Sequence, residues 1–468
     1  MDRLRVFRSF VAPLLLGFAA FLFALVYLRL PERWWFEDDP GLYADMRDVL
    51  HPLAIFIDRD VIRGFGMGKA LVPLQMLSFW SDVHMFGANP AAAYWHTLLS
   101  FLAVVLLMYA FMLLCTANRL IATATPLIWM LLPSTLSILF FISTRHYLEG
   151  LLFGLAASWC ALYACRRYDR IPYWLVGLIS LFALCSVHSK EIFATTLPTF
   201  LFLLGFAYRR YVISLISVVV LVVYVFYRFW ALGSDLTYTE RLLDLPDYLR
   251  YLTVLPYSLT LSPFGYIVYG GAFCLVAYLC WRRLINWRML LVGCVLLASA
   301  LTAIYAVAYP VLLTYNVPNT WNRVPYILHT VALLWTMVVL ARLPSQTGKI
   351  VAIVLVVLVV LPSTVESHNW WDMRLQRAEQ EGRYYLDHPD RLLYSEEPAW
   401  WFIMGVHELY EVEVPHYVTK HFVSDSYLEA LLPLHKTIWR YRDGEFINDD
   451  LLFATLRAEY QMADASQE

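Results

Sequence analysis

The chain has 468 residues, of which 60% are hydrophobic and only 15% are charged, whereas a soluble domain is about 45–50% apolar and about 25% charged. The net charge of -2 says nothing about nucleic acid, but the sequence has no basic run or arm of the kind that follows a phosphate backbone, so we expect no nucleic-acid partner. The seven cysteines all lie in or at the ends of apolar segments, which excludes a disulfide framework and a CxxC metal knuckle. The apolar composition indicates a lipid-embedded protein.

Apolar runs long enough to cross a bilayer recur along most of the chain. They predict an all-α polytopic membrane protein with about eleven transmembrane helices, each about 20 residues long. The first run is too long for the core of a signal peptide and lacks a small-x-small cleavage site, so we interpret it as a signal anchor. The predicted spans are 9–30, 97–115, 121–142, 149–165, 173–188, 192–208, 212–230, 263–280, 289–309, 326–341 and 349–362.

Basic residues are distributed unevenly among the loops that join these runs. If the N-terminus is cytoplasmic, the cytoplasmic segments carry fourteen Arg and Lys and, of the acids, only Asp2 and Asp169. Because cytoplasmic loops are enriched in Lys and Arg, this bias predicts a cytoplasmic N-terminus. We interpret the host membrane as a bacterial inner membrane with a periplasmic outer face, and an endoplasmic reticulum membrane is topologically equivalent. The outer segments are then 31–96, 143–148, 188–191, 231–262, 310–325 and the tail from 363.

Two of the outer segments are long. Residues 31–96 form a large first outer loop that is rich in Gly and aromatic residues. The tail opens with a helical pattern that breaks at His388–Pro389 and ends in a second amphipathic helical pattern. Its length allows a modest core. We therefore predict a transmembrane domain at 1–362 and a small C-terminal outer domain, of α or α+β type, at 363–468.

Three consecutive acids, Glu37, Asp38 and Asp39, follow the first apolar run in the stretch "WWFEDDP". Trp34 and Trp35 are typical of the aromatic belt at a membrane–water boundary, so the acids lie just outside the membrane. A single acid at this position would simply mark the boundary. A triplet at the mouth of a long loop is a candidate for chemistry, although the boundary-marker interpretation stays open.

Ionisable residues also stand at the outer ends of later spans. Such residues are costly near a bilayer and are functional candidates by default. An anion on the outer side, such as a lipid phosphate, would explain the basic ones, since Arg and Lys both bind phosphate oxygens. Internal ion pairs, such as Arg145 with Glu149 at helical spacing, are the alternative. The candidates are Arg145, His146, Glu149, His188, Lys190, Glu191 and Arg323.

One acidic cluster together with several cations fits the transfer of a sugar from a polyprenyl phosphate. Phosphate is a good leaving group, so its departure needs cations that stabilise the developing charge and no general acid. The acceptor hydroxyl loses its proton as it attacks, so one carboxylate is needed as a general base. Glycoside hydrolysis, in contrast, needs two carboxylates because its leaving group is an alkoxide.

Four stretches resemble motifs of the GT-C superfamily of polytopic glycosyltransferases, which includes protein O-mannosyltransferases and the aminoarabinose and arabinofuranosyl transferases. "FEDDPGLYADM" is similar to the acidic motif of the first outer loop, and 68–107 is similar to the run with Phe-Gly-x-Asn-Pro and a His. "SKEIF" looks like the Lys–Glu turn between later spans, and "NRVPYIL" resembles the Arg-bearing loop before a late helix. The resemblance covers roughly residues 10–340 and rests on the order and the common outer placement of the motifs.

The resemblance implies a GT-C fold with a catalytic domain at 1–362, and it implies that the first acid of the pair, Asp38, is the base. Asp39 is the second choice, because the spacing to Tyr43 is ambiguous among relatives. Lys190, Glu191, Arg145, His146 and Arg323 become candidates for substrate binding.

Two departures from the pattern concern the run at 68–107. Lys69, a further substrate-binding candidate, stands where relatives often have Arg, and His96 is followed by Thr97 instead of Asn. His84 and His96 could line the site or could be satisfied histidines at the membrane boundary. Some relatives use a divalent metal, but no ligand spacing in this sequence demands one.

The predicted function is that of an integral membrane glycosyltransferase. It takes a sugar from a polyprenyl-phosphate donor and places it on an outer-face acceptor, such as a pilin-like protein, lipid A or a surface glycan. A transporter or flippase for the same lipid is one alternative, which predicts repeated halves and charges throughout the membrane depth. The other is an O-antigen-type polymerase or ligase, which the loop 231–262 with Arg241 and Arg250 keeps open.

Overall fold

Helices make up most of the protein. The computed structural model describes residues 3–65, 70–233, 264–314, 325–388, 390–395, 400–411, 417–419, 434–442 and 445–465. Contacts divide the chain into two compact units. The first unit comprises 1–31, 51–78 and 93–371, and the second unit comprises 32–50, 79–92 and 372–468.

Eighteen α-helices are described. A π-helical turn, Phe23–Tyr27, continues the first of them. In chain order they are α1 Arg3–Leu22, α2 Asp39–Arg47, α3 Ala54–Ile57, α4 Arg59–Gly64, α5 Pro73–Phe86, α6 Pro90–Thr116, α7 Arg119–Met130, α8 Pro133–Phe140, α9 Arg145–Arg167, α10 Tyr173–Ser189, α11 Phe193–Ala207, α12 Tyr211–Leu232, α13 Phe264–Trp281, α14 Trp287–Thr314, α15 Tyr326–Leu340, α16 Gln346–Asp387, α17 Trp400–Tyr410 and α18 Asp450–Ala465.

Within the described residues, five helical stretches are long and apolar enough to cross a membrane. They are Val11–Glu32, Pro90–Thr116, Ile142–Arg167, Tyr211–Leu232 and Gln346–Asp387. Helices α7 and α8 together form a sixth candidate span, and α10, α11, Trp287–Thr302 and α15 are shorter apolar helices. The protein is thus a polytopic membrane protein, as predicted, while the number of eleven spans stays a prediction.

The predicted span 121–142 is a broken helix. Helix α7 ends at Met130, α8 begins at Pro133, and the two axes differ by 59°. Pro133 occupies the start of α8, where its missing N–H costs no helical hydrogen bond. The same ring cannot continue the preceding helix, so the bend follows from the sequence Leu132–Pro133.

Helix α16 is 42 residues long and contains Pro362. It continues past the predicted end of the last span and ends at Asp387, just before the predicted break at His388–Pro389. The predicted domain boundary after 362 therefore falls inside a helix, while the two compact units divide at 371–372. The outer loop predicted at 31–96 likewise contains helices, namely α2 to α5 and the start of α6.

The second unit contains a small mixed sheet. Its strands are β1 Leu393–Ser395, β2 Tyr417–Thr419, β3 Trp439–Arg442 and β4 Glu445–Asn448, in the order β2-β1-β3-β4. Strand β1 is parallel to β2 and β3, while β3 and β4 are antiparallel with Trp439 opposite Asn448. The tail is therefore of α+β type, one of the two alternatives left open by the sequence.

Two glycines bring α2 and α17 of the second unit close together. A Cβ on Gly405 would lie 2.3 Å from the backbone nitrogen of Gly41. No side chain fits at position 405 without moving a backbone, so this contact fixes α2, which directly follows the acidic triplet.

Candidate functional site

The acidic triplet lies in the second unit, at the start of α2. Asp39 is fully buried, and its Oδ2 accepts a hydrogen bond from the Phe36 backbone nitrogen at 3.1 Å. The Asp39 N–H donates to the Phe36 carbonyl at 3.0 Å, so two hydrogen bonds between Phe36 and Asp39 close the turn. Asp38 is half-buried at the N-cap position and makes no capping hydrogen bond with its side chain. The two acids therefore differ in exposure, because Asp39 is buried within the turn and Asp38 is half-buried.

Glu37 has a positive φ of 44°, a left-handed conformation that a side chain adopts rarely. Its Oε1 lies 3.8 Å from Arg374 of α16, whose guanidinium also lies 5.7 Å from the Phe36 ring centroid. Nearby, Arg33 pairs with Asp372. The Arg374 guanidinium offsets part of the repulsion among the three neighbouring carboxylates. This cation was missed in the sequence, since Arg374 is remote from the triplet along the chain.

Aromatic side chains surround the turn in the same unit. Tyr43 of α2 donates to Asp82 at 2.8 Å and stacks on Phe79 with ring centroids 4.7 Å apart. Trp35 donates to the Tyr410 hydroxyl at 3.0 Å. Burial raises the pKa of Tyr410, so its hydroxyl stays protonated and donates to the Ala88 carbonyl at 3.3 Å. These contacts hold the acidic turn rigidly against α5 and α17.

The predicted site residue His84 is exposed on α5. Its Nδ1 lies 2.9 Å from the Trp80 carbonyl one turn earlier, and its ring stacks on the Trp80 ring at 4.4 Å. Both contacts are local to the helix. They fit a histidine that is satisfied by its own helix at least as well as a histidine that binds the substrate.

In the first unit, Arg145 is the centre of a buried network. It is fully buried, with Nε 3.2 Å from Glu149 Oε1, Nη1 3.2 Å from the Ala93 carbonyl and Nη2 2.7 Å from Ser78 Oγ. Ser78 donates to Glu149 at 2.7 Å, and His96 Nε2 lies 3.6 Å from the same Glu149 oxygen. The guanidinium is thus surrounded by protein groups. The contact with Glu149 is the internal ion pair that the spacing of four residues predicted as an alternative.

Lys190 lies in the turn between α10 and α11 and is buried. Its Nζ lies 5.4 Å from the ring centroid of Tyr147, which in turn contacts the His146 ring at 4.6 Å. A cation over an aromatic face is stabilised by the ring. Two predicted residues, Lys190 and His146, thus both lie against Tyr147.

Glu191, the neighbour of Lys190, forms a buried ion pair with Arg228 of α12. The same oxygen, Oε1, accepts from the Leu71 backbone nitrogen at 2.9 Å. Arg228 was missed in the sequence. The available signal was a charged residue inside an apolar span, which is costly unless it is paired.

Two predicted residues, Lys69 and Arg323, lie outside the described residues. No group of three His, Cys, Asp or Glu side chains that could hold a metal ion occurs in the part of the chain that the structure describes. Of the described candidates, Asp38, Asp39 and His84 belong to the second unit, and Arg145, His146, Lys190 and Glu191 belong to the first.

No protein-family model matches the sequence, and no curated protein matches it. Among the solved structures that match the fold are two of ArnT from Cupriavidus metallidurans. The first, bound to undecaprenyl phosphate, is 13% identical, has a TM-score of 0.50 and covers 93% of this chain and 97% of its own. The second, in the apo state, is 14% identical, has the same TM-score of 0.50 and covers 95% of this chain and 98% of its own.

The chain has the GT-C fold. The resemblance found in four short motifs is thereby confirmed for the fold, and over nearly the whole chain, including the tail that the motifs did not reach. At 13–14% identity the similarity to ArnT carries the fold alone.

Proposed function

We propose that this protein is a membrane glycosyltransferase that takes a sugar from a polyprenyl-phosphate donor. The observation that carries the proposal is the similarity, over nearly the full length of both chains, to an ArnT structure that contains undecaprenyl phosphate. When a sugar is transferred from such a lipid, the polyprenyl phosphate is the leaving group. The protein then has to bind the phosphate and deprotonate the acceptor.

The first unit supplies the candidates for phosphate binding. Lys190 is buried beside Tyr147, where little water competes for its charge. Arg323, which the sequence resemblance also implies, and Lys69 complete the proposed set. Arg145 and Glu191 have protein partners in the contacts given above, so their proposed part is to hold the cationic segments in place.

The second unit supplies the candidate base. Asp38 is half-buried at the end of a rigid turn, so it is open to a substrate hydroxyl and yet positioned. Asp39 is assigned a supporting part, because its carboxylate closes the turn through the Phe36 N–H. In a transfer of this kind the general base accepts the proton of the attacking hydroxyl, and Asp38 is the residue proposed for that part.

The proposed setting is a bacterial inner membrane, with the N-terminus in the cytoplasm and the acidic turn and tail in the periplasm. Single cysteines at Asp48 and Lys436, both exposed, should react with a membrane-impermeant maleimide in intact spheroplasts. A cysteine at exposed Arg170, in a predicted cytoplasmic loop, should react only after permeabilisation. Labelling is measured as the excess over that of the native chain. The opposite pattern would show that the orientation is the reverse of the one proposed.

The acceptor is proposed to be a periplasmic protein such as a pilin, lipid A or a surface glycan. Glycans, lipids and envelope proteins of a deletion strain should be compared by mass spectrometry with those of strains complemented by the native chain or by Asp38→Asn. Loss of one sugar in the deletion strain, restored by the native chain only, would support the transferase and identify the acceptor. A sugar restored equally by Asp38→Asn would contradict the proposed base.

The two alternatives have less support. The polymerase or ligase depended on the loop 231–262, most of which lies outside the described residues. A flippase would move the lipid without cleaving the sugar–phosphate bond. Release of free polyprenyl phosphate by the purified protein therefore separates the transferase from the flippase.

A further inference from the structure

Two short segments of the first unit are rich in arginine. Residues 166–170 stand where α9 ends, and residues 208–210 join α11 to α12. Together they contain five arginines and a single acid, Asp169. The candidate span Ile142–Arg167 ends in the first segment, and the candidate span Tyr211–Leu232 begins directly after the second. Both segments are therefore placed where a span leaves the bilayer.

A direct contact brings the two segments together. Arg210 Nη1 donates to the Asp169 carbonyl at 2.6 Å, and Arg210 Nη2 lies 3.4 Å from Oδ1 of Asp169. Helix α12 also packs closely on α11, since a Cβ on Gly205 would lie 2.6 Å from the Ser214 backbone nitrogen. The end of α9 and the start of α12 thus meet at one surface of the membrane, and the acid of the two segments is already paired with Arg210.

The other arginines differ in how far the protein occupies them. Arg166 donates to the Leu114 carbonyl near the end of α6. Arg167, Arg170 and Arg209 are exposed, and none of them forms an ion pair with a residue that the structure describes. Three guanidinium groups at one corner of the protein favour a ligand with phosphate oxygens, because the planar fork of Arg matches them.

The surroundings of these arginines fit a phospholipid better than a free anion. Tyr173 and Trp174, at the start of α10, are 94% and 59% exposed, and exposed aromatic residues at the end of a span are typical of the membrane interface. Phe206 of α11 and Leu215 of α12 are 65% and 60% exposed and offer apolar contact to acyl chains. A lipid at this corner would contact the arginines with its phosphate and the helices with its chains.

We propose that the end of α9 and the start of α12 form a binding site for an anionic phospholipid, whose phosphate is held by Arg167, Arg170 and Arg209. The bound lipid joins the two segments in addition to the contact between Arg210 and Asp169. A zwitterionic lipid is disfavoured, because its choline or ethanolamine brings a further cation among the arginines. The inference rests on the fold and on the charges of the two segments, and it is independent of the proposed transferase activity.

The test compares the native full-length protein in detergent with a variant that combines Arg167→Gln, Arg170→Gln and Arg209→Gln. Native mass spectrometry measures the binding of phosphatidylglycerol and of phosphatidylcholine. The native protein should bind phosphatidylglycerol more tightly than phosphatidylcholine. The variant should bind phosphatidylglycerol roughly 10–100-fold more weakly. Phosphatidylglycerol should raise the unfolding temperature of the native protein and have little effect on that of the variant.

A control variant combines Arg119→Gln, Arg282→Gln and Arg342→Gln. It removes the same charge from exposed positions in three other segments, and it should bind phosphatidylglycerol like the native protein. Without added lipid, both variants should unfold like the native protein, because all the replaced side chains are exposed. Size-exclusion chromatography verifies that each variant is folded.

Four results would overturn the proposal. The first two are native binding of phosphatidylglycerol by the site variant and equal binding of the two lipids by the native protein. The third is a loss of binding in the control variant as large as that in the site variant, since binding would then depend on total charge alone. The fourth is a rise in unfolding temperature with inorganic phosphate that equals the rise with phosphatidylglycerol, which would make the ligand a free anion.

Discussion

The Nε atom of Arg145 lies 3.2 Å from Oε1 of Glu149, one turn further along α9. Both side chains are largely buried, and Ser78 donates to the same oxygen. We expect an arginine held in this way to contribute mainly to the stability of the fold.

Replacing Arg145 with Ala is therefore expected to destabilise the protein. Removing one partner of a buried ion pair leaves the other charge uncompensated, which typically costs about 3–5 kcal/mol. Thermal unfolding in detergent should show a clear loss of stability for Arg145→Ala and for Glu149→Leu, but none for the exposed Arg170→Ala. An Arg145→Ala protein that unfolds like the native one but binds the lipid donor more weakly would instead make Arg145 a donor ligand.

Lys190 is expected to affect donor binding more than stability. A hydrogen bond to a charged group contributes about 1.5–3 kcal/mol, so Lys190→Ala should weaken binding of a polyprenyl-phosphate sugar by roughly 10–150-fold. Lys190→Arg keeps the charge and should recover part of the affinity, while Lys349→Ala, at the start of α16, should have no effect. The measurement is binding to protein in nanodiscs, and native affinity in Lys190→Ala would remove this residue from the proposed site.

The contact between Gly41 and Gly405 gives a matched pair of substitutions in the second unit. Gly405→Ala places a Cβ 2.3 Å from a backbone nitrogen, whereas the nearest atom to a Cβ on Gly41 lies at 3.6 Å. Overpacking of this kind typically costs about 1–3 kcal/mol. We expect faster limited proteolysis of the tail in Gly405→Ala, and native behaviour in Gly41→Ala. Equal resistance of both variants would show that α2 and α17 are not held by this contact.

Replacing each of the two aspartates of the acidic turn with Ala should affect the stability of the protein to a different degree. Asp39→Ala leaves the buried Phe36 N–H without its side-chain acceptor, a loss of about 1–3 kcal/mol. Asp38→Ala removes a half-buried side chain that does not cap α2 and should leave the unfolding temperature unchanged. If Asp38→Ala unfolded at a lower temperature than Asp39→Ala, Asp38 and not Asp39 would be the residue that stabilises the turn.

Much of the fold is predictable from the sequence because apolar length reports a membrane span directly. The spans that became α9 and α12 were predicted to within a few residues. The end of α16 at Asp387 agrees with the predicted break at His388–Pro389, but the continuity of this helix with the last span across Pro362 was not predicted. Hydropathy reports where lipid ends, while the Glu-, Arg- and Gln-rich stretch after Pro362 still favours helix. The α2–α5 helices were missed as well, since short helices outside the membrane leave no long apolar run.

Some contacts of the candidate site residues were predictable from the sequence and others were not. The helical spacing of Arg145 and Glu149 indicated their pairing, since both lie on one face of a single helix. The pairing of Glu191 with Arg228 joins residues 37 positions apart, and it depends on which face of α12 meets the 190–191 turn. The difference between Asp38 and Asp39 arises from one hydrogen bond to Phe36, which no pattern in "FEDDP" indicates.

The most direct test of the proposed function is single-turnover transfer from a synthetic polyprenyl-phosphate sugar by the native protein and by Asp38→Asn, with donor binding measured separately. Asp38→Asn keeps the size of the side chain and removes its basicity. The native protein should release polyprenyl phosphate as the sugar reaches an acceptor. Asp38→Asn should bind the donor normally and transfer about 10²–10⁴-fold more slowly. Transfer at the native rate by Asp38→Asn would contradict Asp38 as the base, and a native protein that binds the donor but never releases polyprenyl phosphate, with envelope acceptors present, would contradict the transferase itself.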